Sequence, residues 1–191
     1  MPNPLVIYHD GCPDGTAAAW ATWTVFGAAA TYLPATYGSE PPPVVDPATN
    51  EPRDVVIVDF SYPRDALVRM AEEARSIIVL DHHKTARENC EGLPFCVFDM
   101  ERSGAGLAWD HFRPDAPRPW LINYTEDRDL WRHALPNTRE VNAWLRSQPQ
   151  PSKDTTSHRP RRSTSLALSA PKFSRRSGCT SRASRRVRLS R

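Results

Sequence analysis

Four runs of consecutive apolar residues mark the first hundred positions: Leu5-Val6-Ile7-Tyr8, Val55-Val56-Ile57-Val58, Ile77-Ile78-Val79-Leu80 and Phe95-Cys96-Val97-Phe98. None alternates with polar residues, which is the pattern of strands buried on both faces of a parallel sheet. Thr31-Tyr32-Leu33 supplies a shorter strand of the same kind. Between the runs the periodicity changes. Gly11, Pro13 and Gly15 form a loop, and the Ala-rich stretch 16–26 reads as a helix with Thr16 or Asp14 near its cap. Pro63 opens a second helix with Leu67, Val68, Met70 and Ala71 as its apolar face. Ser103 N-caps a third, running through Leu107, Ala108, Trp109 and Phe112, and further helical patterns lie around residues 120–124 and 138–145. Residues 38–54 are rich in proline and read as a loop. Alternating strands and helices predict an α/β fold: a doubly wound, mostly parallel sheet with helices on both faces.

Charge divides the chain in two. Residues 1–150 carry thirteen Lys and Arg against twenty-one Asp and Glu, a formal charge of −8. Residues 151–191 carry twelve basic residues against Asp154 alone, a formal charge of +11, so the overall +3 describes neither part. The first part is the expected folded domain. An acidic surface rich in Asp suits divalent cations and opposes long nucleic acids. The second part is rich in Ser and Arg and has little apolar surface to bury, so it is expected to be disordered. Ten of its basic residues are Arg, and this Arg, Ser, Pro and Ala enrichment is what a GC-rich gene gives when read out of frame. Cys12, Cys90, Cys96 and Cys179 form no CxxC pair or disulfide framework, which points to free thiols in a reducing compartment. No basic N-terminal leader and no membrane-length apolar run precedes or interrupts the domain, so the expected location is the cytoplasm.

Each apolar run ends in reactive side chains. Asp81-His82-His83 follows one directly: one imidazole can ligate a metal while the next faces a substrate, with Asp81 as ligand or as holder of a His tautomer. His9 and Asp14 flank the loop after the first run, and Asp59 ends the next, a natural position for a carboxylate bridging two metals. In open α/β sheets ligands bind at the carboxyl ends of strands. Mixed His and carboxylate ligands favour manganese, with magnesium, cobalt, iron or zinc as alternatives. Such a site holds a phosphoryl group and acidifies a water, the chemistry of phosphate ester or anhydride hydrolysis.

Three segments, His9-Asp10-Gly11-Cys12-Pro13-Asp14-Gly15, Val58-Asp59-Phe60-Ser61 and Leu80-Asp81-His82-His83-Lys84, resemble the first three motifs of the DHH phosphoesterases. Asp127-Arg128-Asp129-Leu130-Trp131 resembles the fourth, and Ser103-Gly104-Ala105-Gly106 resembles the start of a helix in that family. The resemblance spans residues 5–145. It implies a doubly wound domain with a two-manganese centre acting on short oligonucleotides, nucleotides or polyphosphate. It implies that His9 and Asp14 bind one metal, Asp59 bridges, His82 binds the second and His83 touches the scissile phosphate. The fourth-motif ligand is Asp127 or Asp129, with Asp129 preferred. Two departures stand out. Thr16 occupies the place of a usual second Asp, and the Ser/Arg segment replaces a smaller C-terminal substrate domain, which predicts weak turnover.

Bland readings accompany these. Trp20, Trp23, Trp109, Trp131 and Trp144 are expected to be core or domain-packing groups, His111 and His133 surface histidines, and Lys84 either a phosphate-binding or a solvated lysine. The expected partner is a phosphorylated small molecule or a short single-stranded nucleic acid, with no membrane. The competing functional reading is an inactive scaffold whose basic tail binds nucleic acid.

Overall fold

The computed structural model describes residues 3–148. Five strands, β1 (Leu5–His9), β2 (Thr31–Ala35), β3 (Asp54–Val58), β4 (Ser76–Asp81) and β5 (Cys96–Phe98), form one parallel sheet in the order β2-β1-β3-β4-β5. Burial on both faces explains the unbroken apolar runs. Val6, Tyr8, Val56, Val58 and Leu80 pack on one side under α1 (Pro13–Phe26), α4 (Gly104–Phe112) and α5 (Trp120–Asp129). Leu5, Ile7, Val55, Ile57 and Val79 pack on the other under α2 (Arg64–Glu73) and the single turn α3 (Arg87–Cys90). The helix α6 (Thr138–Ser147) leans on α5, where Asn142 Nδ2 donates to the Tyr124 carbonyl at 3.0 Å. The fold is therefore α/β with helices on both faces. The Ser/Arg segment, whose disorder was the expectation, lies outside the described residues.

Several boundaries shift for physical reasons. The first helix starts at Pro13, not Thr16, because proline fits the first helical position, where its missing N–H costs nothing. Strand β2 runs on through Pro34, which an edge strand tolerates. Val68 does not join the buried face of α2; Ala66, Leu67 and Met70 do. Trp20 stacks on Trp109 at 5.7 Å, joining α1 to α4. Trp131, expected to be a core or packing group, is 80% exposed, and Trp23 is 42% exposed. The strand order places the ends of β1, β3 and β4 side by side, with Tyr8 level with Val58 and Val58 level with Leu80. Adjacent strands lie about 4.8 Å apart, so residues one step beyond these positions are within reach of shared ligands.

Candidate metal centre

His9 closes β1, Asp59 follows β3 and Asp81 closes β4, all at the carboxyl ends of the parallel strands. Asp59 is fully buried and turns the chain with a positive φ of 55°. That left-handed conformation costs a non-glycine residue about 1–2 kcal/mol, though Asp is among those that visit it. The turn aims its carboxylate back across the strand ends. Oδ1 lies 3.2 Å from His82 Nε2 and Oδ2 lies 3.6 Å from His9 Nδ1.

Around His82 a second set of carboxylates converges. Nε2 of His82 is 3.4 Å from Asp14 Oδ2 and 3.5 Å from Asp129 Oδ2. Asp14 is held by the start of α4: the Gly104 and Ala105 N–H groups donate to its two oxygens at 2.7 and 3.0 Å. The free N–H groups and positive dipole of a helix N-terminus suit a carboxylate. Ser103 caps that helix by accepting from the Gly106 N–H at 3.1 Å. Gly104 must be glycine for this approach, since a Cβ there would overlap the Asp59 side chain. Asp129 reaches the cluster from the end of α5, whose Glu126 accepts from the Ser103 N–H at 3.1 Å and from Arg118 at 2.8 Å.

His83 is set differently. Its Nδ1 donates to Asp81 Oδ1 at 2.8 Å, and the same oxygen accepts from the His82 and His83 backbone N–H groups at 2.7 and 3.2 Å. Asp81 thus fixes the ring and its tautomer, leaving Nε2 as the other polar atom of the imidazole. The ring meets that of His9 edge-on at 5.5 Å.

The electrostatics reflect the crowding of four carboxyl groups and three imidazoles. Burial first, then the neighbouring Asp59 and Asp129, pushes Asp14 well above the usual carboxylate range. Asp129 is also raised, chiefly by burial. Burial opposes ionisation of Asp59 too, but its contacts with His82 and His9 outweigh that and hold it at about 2. His9 is raised to about 10 by Asp59 first and Cys12 second. His83 is raised by its bond to Asp81.

Three overlapping groups have donor atoms mutually within 4.8 Å: His9, Cys12 and Asp59; Asp59, His82 and His83; and Asp14, His82 and Asp129. His9 Nδ1 and Asp59 Oδ2 are both buried without a hydrogen-bond partner, facing one another across a gap. A buried donor set of this kind, with unpartnered atoms converging, fits divalent metal ions.

Of the residues read from the sequence, His9, Asp14, Asp59, Asp81, His82, His83 and Asp129 all come together. Asp14 groups with His82 and Asp129, not with His9 as the resemblance implied. Asp127 does not take part. Its carboxylate accepts from the Ala134 and Leu135 N–H groups at 2.8 and 3.1 Å and from the Thr138 hydroxyl, tying the loop after α5 to α6. Those bonds hold it below the usual carboxylate range in spite of its burial. Thr16 does not take the place of a missing ligand, because its hydroxyl donates back to the Cys12 carbonyl at 3.0 Å within α1. The pair two positions apart that reaches the cluster is Cys12 and Asp14. Sequence reasoning missed Cys12 as a donor; its proximity to His9 depends on the Gly11 turn, where φ is 67°.

No protein-family model matches the chain. It is similar to "Uncharacterized protein R106" of Acanthamoeba polyphaga mimivirus, 31% identical over 158 residues, a match covering 75% of this chain and 37% of that protein. Among solved structures it is similar to an uncharacterized protein from Helicobacter pylori G27, with a TM-score of 0.55 at 15% identity over 69% of this chain and 44% of that one. The chain spans less than half the length of either. The structural likeness speaks for the fold alone.

Proposed function

We propose that this protein hydrolyses a phosphate ester or anhydride with divalent metal ions, manganese first, as DHH phosphoesterases do. The observation that carries the reading is the convergence of Asp14, Asp59, His82 and Asp129 from four separate segments beside the unpartnered His9 Nδ1 and Asp59 Oδ2. Bound there, divalent ions would neutralise phosphate charge and acidify a water. The chain's own residues do the rest. Asp59, which belongs to both the His9–Cys12 group and the His82–His83 group, holds those two together. Asp81 locks His83 so that Nε2 is presented to the phosphoryl oxygens or the leaving group. The bond to Asp81 favours the charged imidazolium, which attracts the phosphate and can donate a proton. The expected substrate is a short oligonucleotide, a nucleotide or polyphosphate. The partner class that goes with this chemistry is a phosphorylated small molecule or a short single-stranded nucleic acid; among the described residues no helix is long and apolar enough to cross a membrane.

The test is turnover of a chromogenic phosphodiester, short RNA and polyphosphate by the full chain with manganese. The expected result is metal-dependent product formation that falls by about 100-fold or more in His83→Ala, the scale typical of losing a general acid or base. Turnover no greater than that of a His82→Ala, His83→Ala double variant would sink the reading.

A further inference from the structure

The donors at the carboxyl ends of these strands are not alike. Asp14, His82 and Asp129 make one group, dominated by carboxylates. His9, Cys12 and Asp59 make another, with an imidazole, a thiol and a carboxylate, and the group of Asp59, His82 and His83 overlaps both. Cys12 stands at the N-cap of α1, where Ser, Thr, Asp or Asn would normally bond the helix's free N–H groups, yet its side chain makes no cap bond. The thiol therefore has no helix-capping duty. The second observation is independent of it. His9 Nδ1 and the fully buried Asp59 Oδ2 have no hydrogen-bond partner, and both face the space that Cys12 borders.

We propose that the two halves of the centre take different metals: His9, Cys12 and Asp59 hold a thiophilic divalent ion of the zinc class, while Asp14, His82 and Asp129 hold a hard ion such as manganese. The inference rests on the metal-dependent reading of the centre and refines it. Thiolate and imidazole ligands select zinc and its neighbours over magnesium or manganese, whereas carboxylate-rich sets suit the harder ions. Three protein ligands including a Cys and a His also match the zinc sites that keep one position open for water or substrate. Cys12 binds as the thiolate, so uptake of the ion releases a proton and shields the sulfur from alkylation. Asp59, whose two oxygens face the two groups, joins the halves.

The experiment uses the full chain stripped of metal and reloaded with cobalt alone, then with zinc and manganese in competition. The readouts are thiolate-to-cobalt absorption, metal content and alkylation of Cys12 by peptide mass spectrometry. The expected outcome is a charge-transfer band, one zinc and one manganese per chain, and protection of Cys12 by zinc. Cys12→Ser, which suits a helix N-cap, should fold, lose the band and bind zinc at least about 10–100-fold more weakly, the loss typical of removing even a supporting residue beyond the ligands. Cys12→Asp should also lose the band but take manganese in both halves. A band that persists in Cys12→Ser would come from Cys90, Cys96 or Cys179 and would overturn the inference. Two manganese ions in parent and Cys12→Ser alike, with Cys12 open to alkylation throughout, would overturn it while leaving the phosphoesterase reading intact. A chain that retains no metal under any loading would overturn both.

Discussion

Asp127 and Asp129 stand two positions apart at the end of α5 and face opposite ways. Asp127 ties a loop by accepting from Ala134, Leu135 and Thr138, whereas Asp129 faces His82. Asp127→Ala leaves the Ala134 and Leu135 N–H groups unpaired, while the Thr138 hydroxyl keeps the Leu135 carbonyl as acceptor, and should destabilise the fold by about 2–4 kcal/mol with metal content at the parent value. Asp129→Ala should do the reverse. Chemical denaturation alongside metal analysis separates them; loss of metal with unchanged stability in Asp127→Ala would exchange their roles. Protonation gives a second residue-scale prediction. In the metal-free protein His9 is raised to about 10, so it holds a proton at neutral pH that a metal must displace, and burial shifts Asp14 in the same direction, toward the protonated form. Uptake at neutral pH should release protons, and apparent affinity should climb with pH. The His9 contribution to metal-free stability is complete below its ordinary value of 6.5 and is lost as pH rises through about 10. The Asp59 contribution runs oppositely, present above the ordinary 3.8 and lost as pH falls through about 2. Calorimetric titration in buffers of different ionisation enthalpy counts the protons, and a metal affinity flat between pH 6 and pH 9 would contradict the assignment. The residues read directly from the sequence, His9, Asp59, Asp81, His82 and His83, were those at the ends of apolar runs, where strand geometry alone decides position. The pairing of Asp14 with His82, and the approach of Cys12 to His9, depend on a turn and on a helix ninety positions away, and no local pattern encodes either.

At the scale of elements, α4 links core to site. Its first turn donates to Asp14, its Gly104 lies against Asp59, and its Trp109 stacks on Trp20 of α1. Gly104→Ala should therefore act through position more than through helix propensity, which alanine improves. The added methyl overlaps buried side-chain atoms of Asp59, and overpacking of this kind costs about 1–3 kcal/mol. The helix start must withdraw, taking the donors of Asp14 with it. The expected result is a lower melting temperature together with weaker manganese binding, read by thermal denaturation and metal titration. Unchanged manganese affinity would show that Asp14 is positioned without α4. The same helix was legible in the sequence, since Ser103 as N-cap and the apolar positions to Phe112 are local signals. So were β1, β3 and β4, whose β-branched runs suit burial on both faces. Strand order was not legible, because it is set by which faces the connecting helices cover. Nor was the exposure of Trp131, which comes from a left-handed turn with φ of 54° that ends α5.

At the scale of the whole molecule, the centre joins segments that the chain keeps far apart. The loops after β1, β3 and β4, the start of α4 and the end of α5 all meet there, whereas the two apolar cores lie on opposite faces of the sheet and do not include it. The cores pack against the sheet from both faces. The carboxyl end of the sheet, which carries the site, is a cluster of acids, and burial together with neighbouring carboxylates shifts Asp14 and Asp129 toward the neutral form. A bound cation removes the repulsion directly and ties the five segments together. Ligand linkage adds roughly 3–4 kcal/mol when free metal is 100–1,000 times its dissociation constant. For a domain of this size that should raise the melting temperature on the order of 10 °C. The comparison is thermal denaturation with EDTA and with manganese, alongside hydrogen exchange. Protection should increase at the start of α4 and the end of α5 and stay unchanged at the centre of β1, which the cores already secure. Asp59→Asn should lose most of the shift, because the carboxylate common to two of the three donor groups is neutralised. A melting point indifferent to manganese, or a shift that survives Asp59→Asn, would mean that these residues do not form a metal centre.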